Sequence, residues 1–251
     1  MHNNNVLFLF DVDGTLSESR CQAPSKILKM LGELKKKVNV AFVGGSDLAK
    51  QKEQIGDDLL ELFTYGFPEN GLQFYKGSEL VDSQSFIKFL GEEKFKQLVN
   101  CFLRKLSEID CPVKRGVFIE TRNSMINVCP VGRSCTREER LEFFNFDKEN
   151  KVREKLVADV KEFVESMNVT CSIGGQISID VFPKGWDKTY CLNHIKEETV
   201  IFFGDMTHEG GNDYEIFKHP KTKGITVKGP EDTIKQVNKM LKELEMDEIN
   251  L

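Results

Sequence analysis

The feature that most constrains this chain is the join between the apolar run 6–10 (Val-Leu-Phe-Leu-Phe) and Asp11-Val12-Asp13-Gly14-Thr15. A short apolar run with no polar alternation suits a strand buried on both faces, and such strands belong to parallel sheets covered by helices on either side. In those sheets ligands bind outside the carboxyl ends of the strands, and here that end opens into two carboxylates two positions apart.

Two further runs behave the same way. Val38–Val43 leads into Gly44-Gly45-Ser46-Asp47, and Val200–Phe203 leads into Gly204-Asp205. Between the first two strands, Ile27, Leu28, Leu31 and Leu34 recur at helical spacing after Pro24, which makes a βαβ unit. A last helix opens at Pro230, with Ile234, Val237, Met240, Leu241 and Leu244 on one stripe. The middle of the chain reads differently. It predicts a helix over 92–109, strands over 117–122 and 125–128, helices starting near Thr136 and Lys151, and strands near Thr170 and Ile177. Thr136-Arg137-Glu138-Glu139 fits a capping box, and Asn123-Ser124 and Gly174-Gly175 fit tight turns. The expectation is an α/β core of Rossmann-like parallel-sheet type over residues 1–80 and 186–251. An α+β domain with an antiparallel sheet is inserted at 81–185.

Composition narrows the function classes. The 251 residues are 39% hydrophobic, enough to bury a core along the whole chain. The 35 basic and 40 acidic side chains are mixed, without a basic stripe to neutralise a nucleic-acid backbone. The N-terminus lacks a basic leader, and the first apolar run is far too short to span a bilayer, so a cytoplasmic protein without membrane or nucleic-acid partners is expected. The seven cysteines form no CxxC pair and read as reduced, mostly buried thiols rather than a zinc site or disulfide framework.

The residues at the strand ends suit phosphoryl transfer. A carboxylate can attack phosphorus to give an acyl phosphate while a second carboxyl manages the proton, which gives Asp11 as nucleophile and Asp13 as acid and base. Two anions beside a phosphate repel one another unless a cation intervenes. Mg²⁺ held by Asp11, Asp13 and Asp205 answers that need, with Asp213 of Gly210-Gly211-Asn212-Asp213 as a further ligand. Ser46 lies where a hydroxyl and backbone N–H groups can hold a phosphoryl oxygen, and Lys188 can neutralise the charge that Asp11 shares with phosphate. Each has a bland alternative: Asp13 and Asp47 as turn or cap residues, Ser46 as an N-cap, Lys188 as a solvated side chain. In the inserted domain, Arg122, Arg133 and Arg140 can converge on an anion through their planar forks. Strand alternation puts Ser178 and Asp180 on one face, opposite Ile177, Ile179 and Val181, where they can grip sugar hydroxyls.

DxDGT, a serine, a lysine and GD with a following ND, in this order, resemble the motifs of the haloacid dehalogenase (HAD) superfamily. The inserted domain would then be its cap. Over both domains the chain is similar to the eukaryotic phosphomannomutase family, through FDVDGTLSESR, GGSD, RGVFIETRNSMINVCPVGRSCTREER, GGQISIDVFPKGWDKTYC and FFGDMTHEGGNDYEIF. That resemblance implies an isomerase interconverting mannose 6-phosphate and mannose 1-phosphate for GDP-mannose synthesis. It also implies an aspartyl-phosphate enzyme, a hexose 1,6-bisphosphate (glucose or mannose) as intermediate and activator, and a homodimer formed through the cap. It assigns the nucleophile to Asp11, the acid/base to Asp13, and substrate contacts to Arg20, Arg122, Arg133, Arg140, Ser178 and Asp180. A second cation loop maps to Phe217, His219 and Thr222, with histidine where aspartate is expected. A HAD-type sugar-phosphate phosphatase is the alternative within the same chemistry, and a silent scaffold is the alternative outside it.

Overall fold

The computed structural model describes residues 2–18 and 21–251. In chain order the elements are β1 (Asn3–Phe10), α1 (Ser25–Lys35), β2 (Val38–Val43), α2 (Leu48–Ile55), α3 (Leu59–Leu62), β3 (Tyr65–Phe67), β4 (Gln73–Lys76) and β5 (Glu79–Ser83). They continue with α4 (Phe86–Leu90), α5 (Glu92–Glu108), β6 (Ile119–Thr121), β7 (Ile126–Val128), α6 (Arg137–Asn150), α7 (Val152–Ser166), β8 (Val169–Gly174) and β9 (Ser178–Pro183). The last are β10 (Thr199–Gly204), α8 (Tyr214–Lys218), β11 (Thr222–Thr226) and α9 (Pro230–Glu243). The chain forms two compact units, one of Met1–Ser83 with Gly185–Leu251 and one of Gln84–Lys184.

The first unit is built on a sheet of order β11-β10-β1-β2-β3-β4-β5. Pairing is parallel from β11 through β3, then antiparallel for β4 and β5. The three apolar runs are its adjacent central strands. Successive residues face opposite ways along a strand, and here both directions are buried. Phe8, Phe10, Val40, Phe42, Ile201 and Phe203 pack in one cluster with Ile27, Leu31, Val237 and Leu241 of α1 and α9. Leu7, Leu9, Ala41, Val43 and Phe202 pack in another with Cys191, Leu192 and Ile216. Burial on both faces is the physical reason these strands read as unbroken apolar runs. The flanking strands β4, β5 and β11 are partly exposed and lack that signal.

The division of the chain falls after Ser83 and after Lys184, against sequence-based breaks after residues 80 and 185. β5 runs through Val81 and pairs with β4, which keeps residues 81–83 with the first unit.

The second unit carries an antiparallel sheet of order β6-β7-β9-β8, with α5 and α7 supplying buried Phe95, Leu98, Phe102, Leu156, Val160 and Val164. Thr136 and Glu139 form the reciprocal capping box that opens α6. The strand expected from Val117 starts only at Ile119, because Gly116 (φ +90°) and Val117 (φ +47°) turn the backbone away from extended geometry. The expectation of mostly buried cysteines is corrected: Cys129 and Cys191 are buried, four others are half-buried and Cys21 is exposed. Among the described residues no helix is long and apolar enough to cross a membrane.

Candidate active site

Where β1 ends, the Asp11 amide donates to the Phe203 carbonyl on β10 (2.9 Å), so the loop leaves the sheet at the centre of its carboxyl edge. Val12 O accepts the amides of Leu16 (3.0 Å) and Ser17 (3.1 Å), and Gly14 N donates to Ser17 O (2.7 Å), closing a tight turn. Thr233 of α9 anchors the turn by donating its hydroxyl to Thr15 O (2.8 Å). Gly14 has φ +73°, and a Cβ there would lie 2.2 Å from Asp205 Oδ2. The first loop and the loop after β10 therefore touch through a glycine that admits no side chain.

Lys188 begins a 3₁₀ turn that Asp187 caps by accepting the Thr189 amide (2.8 Å). Its ammonium donates to Asp11 Oδ1 at 2.5 Å and to Asp213 Oδ1 at 2.6 Å. All three side chains are buried: Asp11 is 3% exposed, Lys188 2% and Asp213 0%. Asp213 Oδ2 accepts the Met206 amide (3.1 Å), which ties the GGND segment to the turn after β10. Carboxylate oxygens of Asp11, Asp205 and Asp213 lie within 4.8 Å of one another and could hold a metal ion.

The electrostatics follow from this crowding. Burial pushes the Asp11 carboxyl up to about 7; Lys188 pulls it down and Asp213 adds to the rise. Burial works against the charge on Lys188, but the two carboxylates outweigh it and hold the ammonium above the ordinary lysine range. Burial, then Asp213, raises Asp205. Two buried carboxylates and a half-buried third, with one ammonium among them, form an oxygen-rich, electron-rich site of the kind hard cations occupy.

The remaining sequence-based candidates of the first unit have other partners. Asp13 is not one of the three clustered carboxylates: its Oδ1 accepts Gln54 Nε2 from α2 at 2.8 Å, and the further ligand candidate Asp213 stands in the cluster with Asp11 and Asp205. Ser46 is half-buried and does not cap α2, since Asp47 does so by accepting the Lys50 amide (2.9 Å). With Asp13, Lys50 and Gln54, Ser46 lines a cavity of about 640 Å³ in the first unit. In the loop over residues 217–222, where a second cation was expected, the Thr222 hydroxyl donates to the carbonyls of Ile216 and His219, and His219 Nδ1 accepts the Lys221 amide (3.2 Å). The Phe217 amide donates to Asp213 O (2.9 Å). These contacts tie the loop to itself, and no second group of metal-ligating side chains occurs there among the described residues. Arg20 lies outside the described residues.

In the second unit, Arg122 binds Glu120 Oε2 through Nε (2.9 Å) and Nη2 (2.7 Å), and Arg133 Nε reaches the same oxygen at 3.2 Å. Arg133 Nη1 also donates to Asn127 Oδ1 (2.9 Å), and Asn127 Nδ2 donates to Asp180 Oδ1 (2.6 Å). Arg140 is half-buried in the first turn of α6 and forms no ion pair among the described residues. Ile177, Ile179 and Val181 are buried, while Asp180 is half-buried and Ser178 is buried. Sequence reasoning passed over Gln54, Glu120 and Asn127. The one available signal was strand alternation, which puts Glu120 and Arg122, and separately Asn127, on polar positions of short strands.

A family model described as eukaryotic phosphomannomutase matches residues 27–243. A phosphomannomutase of Encephalitozoon cuniculi is 58% identical over 245 residues, covering 96% of each chain. One from Saccharomyces cerevisiae is 52% identical over 233 residues, covering 92% of each. Among solved structures, trehalose-6-phosphate phosphatase of Aspergillus fumigatus aligns with a TM-score of 0.64 at 17% identity, over 96% of this chain and 93% of that one. A HAD subclass IIB sugar phosphatase aligns with a TM-score of 0.57 at 18% identity, over 95% and 98%. Those two likenesses show a shared fold, and the family model with the relatives above 50% identity shows more: the chain belongs to the eukaryotic phosphomannomutase family.

Proposed function

We propose that this chain interconverts mannose 6-phosphate and mannose 1-phosphate through an aspartyl-phosphate enzyme and a hexose 1,6-bisphosphate intermediate. The observation that carries the reading is the buried Asp11–Lys188–Asp213 arrangement at the carboxyl edge of the sheet, in a chain 58% identical to a phosphomannomutase over 96% of its length. Asp11 attacks phosphorus, and Lys188 balances the charge that gathers there. Asp13, held by Gln54 outside the carboxylate group, gives a proton to the departing sugar oxygen and takes one back from the incoming hydroxyl. Asp11, Asp205 and Asp213 suit Mg²⁺, which would offset charge between the carboxylates and a phosphoryl group.

Arg122, Arg133 and Arg140, with Arg20, are the substrate-phosphate contacts of this reading, and Ser178 and Asp180 the sugar contacts. The arginines of the second unit suit an anion, which in this reading is a phosphate of the substrate. Phe217 and Thr222 remain weaker candidates for a second cation. The same reading takes the inserted unit as a specificity and dimerisation domain, in keeping with Leu103 and Val117, both about half exposed on it (48% and 50%). It places the enzyme in the cytoplasm, supplying GDP-mannose synthesis.

The test is to incubate the protein with mannose 1-phosphate and Mg²⁺, with and without glucose 1,6-bisphosphate, and follow mannose 6-phosphate and free phosphate together. Bisphosphate-dependent mannose 6-phosphate with little free phosphate is the expected result. Free phosphate without the isomer would make the protein a sugar phosphatase, and neither product would make it a scaffold.

A further inference from the structure

Three side chains missed or only half seen in the sequence form one row. In the sheet register Glu120 on β6 stands opposite Asn127 on β7, and Asn127 stands opposite Asp180 on β9. Directly opposed residues share a face with their Cβ atoms ~5 Å apart, so the row is carboxylate, amide, carboxylate. Two carboxylates flanking a third acceptor would repel one another. The middle residue here is instead an amide, used in one orientation only.

That orientation is fixed by both neighbours. Asn127 Oδ1 accepts from Arg133 Nη1, so its Nδ2 must be the group that meets Asp180 Oδ1 at 2.6 Å. Asn127 is 3% exposed, so neither end can trade its partner for water without cost. The consequence reaches Asp180 and Arg133. Asp180 has one oxygen committed to Asn127, and its Oδ2 has no hydrogen-bond partner among the described residues. Gly174 leaves room at that second oxygen, since a Cβ there would lie 2.7 Å from it. Arg133 is held at two nitrogens, Nε by the Glu120 ion pair (3.2 Å) and Nη1 by Asn127, and its Nη2 makes no hydrogen bond among the described residues.

We propose that Asn127 is a positioning residue that sets sugar and phosphate recognition together, by presenting Asp180 Oδ2 to a sugar hydroxyl and Arg133 Nη2 to a phosphate oxygen. It touches neither part of the ligand. The inference rests on the mannose-phosphate reading above for the identity of the ligand, but its geometry belongs to the second unit alone. A single buried amide serving both groups means that losing it disturbs both contacts at once.

The experiment compares the wild-type protein with Asn127→Asp, which keeps the shape but sets acceptor against acceptor at Asp180, and with Asn127→Ser, which removes the bridge and leaves room for water. Turnover of mannose 1-phosphate is measured with bisphosphate present, and thermal denaturation is followed alongside. The expected result is a KM raised about tenfold or more in both variants, with kcat altered much less, since two charge-assisted contacts are misaimed while the reacting groups are untouched. A merely structural role would instead lower Tm and the active fraction with KM unchanged, and that outcome overturns the proposal. So does a KM within about twofold of wild type in a folded variant. Should Asn127→Asp fail to fold, Asn127→Ser alone decides. Wild-type protein that makes no mannose 6-phosphate counts against the mannose-phosphate reading and not against the row; direct titration of wild type and Asn127→Ser with mannose 1-phosphate then reads the same affinity loss without turnover.

Discussion

Lys188 donates to Asp11 Oδ1 at 2.5 Å across 177 positions of sequence, and with the same ammonium it holds Asp213. The Asp11 carboxylate and the Lys188 ammonium are both buried, so each depends on the other to stay charged.

Replacing Asp11 with Asn keeps shape and volume but removes the nucleophile. Turnover should fall to below about a thousandth of wild type while the fold is retained. Retained activity in an assay for mannose 6-phosphate would remove Asp11 from the mechanism.

The same variant has a distinct pH signature. The Asp11 carboxyl titrates at 3.8 in the ordinary state and at about 7 in the fold, so between those values the native state binds more protons than the unfolded state. Wild-type stability contributed by this group is therefore present at low pH and is lost as pH rises through that window. Asp11→Asn lacks this loss. In a chelator, its Tm relative to wild type should climb steadily from about pH 4 to about pH 8, and Mg²⁺ should narrow the gap by relieving the wild-type site. A flat difference across the range would show that Asp11 ionises without penalty.

Lys188→Met leaves Asp11 and Asp213 facing each other in a buried site without their shared cation. Breaking such a pair by removing one partner costs ~3–5 kcal/mol, so chemical denaturation should register a loss of that order. Mg²⁺ should restore part of it. A variant as stable as wild type in chelator would mean that the carboxylates take up protons at little expense.

Gly14→Ala places a methyl group where Asp205 Oδ2 stands, at a backbone angle an L side chain rarely adopts. Strain of ~1–3 kcal/mol is expected, together with a weakened Mg²⁺ requirement curve as Asp205 is pushed from its place. Mg²⁺ titration of activity tests this, and an unchanged half-saturation would separate Asp205 from the metal.

Arg140 and Arg153 should give opposite outcomes. Arg140 has no ion pair among the described residues, so Arg140→Ala should leave Tm nearly unchanged while costing ~1.5–3 kcal/mol in kcat/KM. Arg153 is buried, donates to Asp147 at 2.7 Å, and reaches the carbonyls of Gly174 (3.3 Å), Gly175 (3.0 Å) and Ser178 (3.2 Å). Arg153→Met strands Asp147 and frees that turn, with a stability loss of ~3–5 kcal/mol. Equal effects on Tm would contradict this division of labour.

How much of this was legible in the sequence depends on the range of the forces involved. β1, β2 and β10 announced themselves because burial on both faces forces an unbroken apolar run. The Thr136 capping box and the Pro230 helix start were legible because their hydrogen bonds and dihedral constraints act within four residues. The order of Asp11, Ser46, Lys188 and Asp205 along the chain carried part of the family resemblance, since the residue types and their strand-end positions are properties of the sequence. What the sequence could not fix is partner choice among groups far apart in the chain. Asp13 turning to Gln54, Asp213 moving in beside Lys188, Glu120 neutralising two arginines, and Asn127 bridging Arg133 to Asp180 are all decided by sheet register and loop packing. Buried polar groups must find partners or forfeit their solvation, and only the folded arrangement says which partners are within reach.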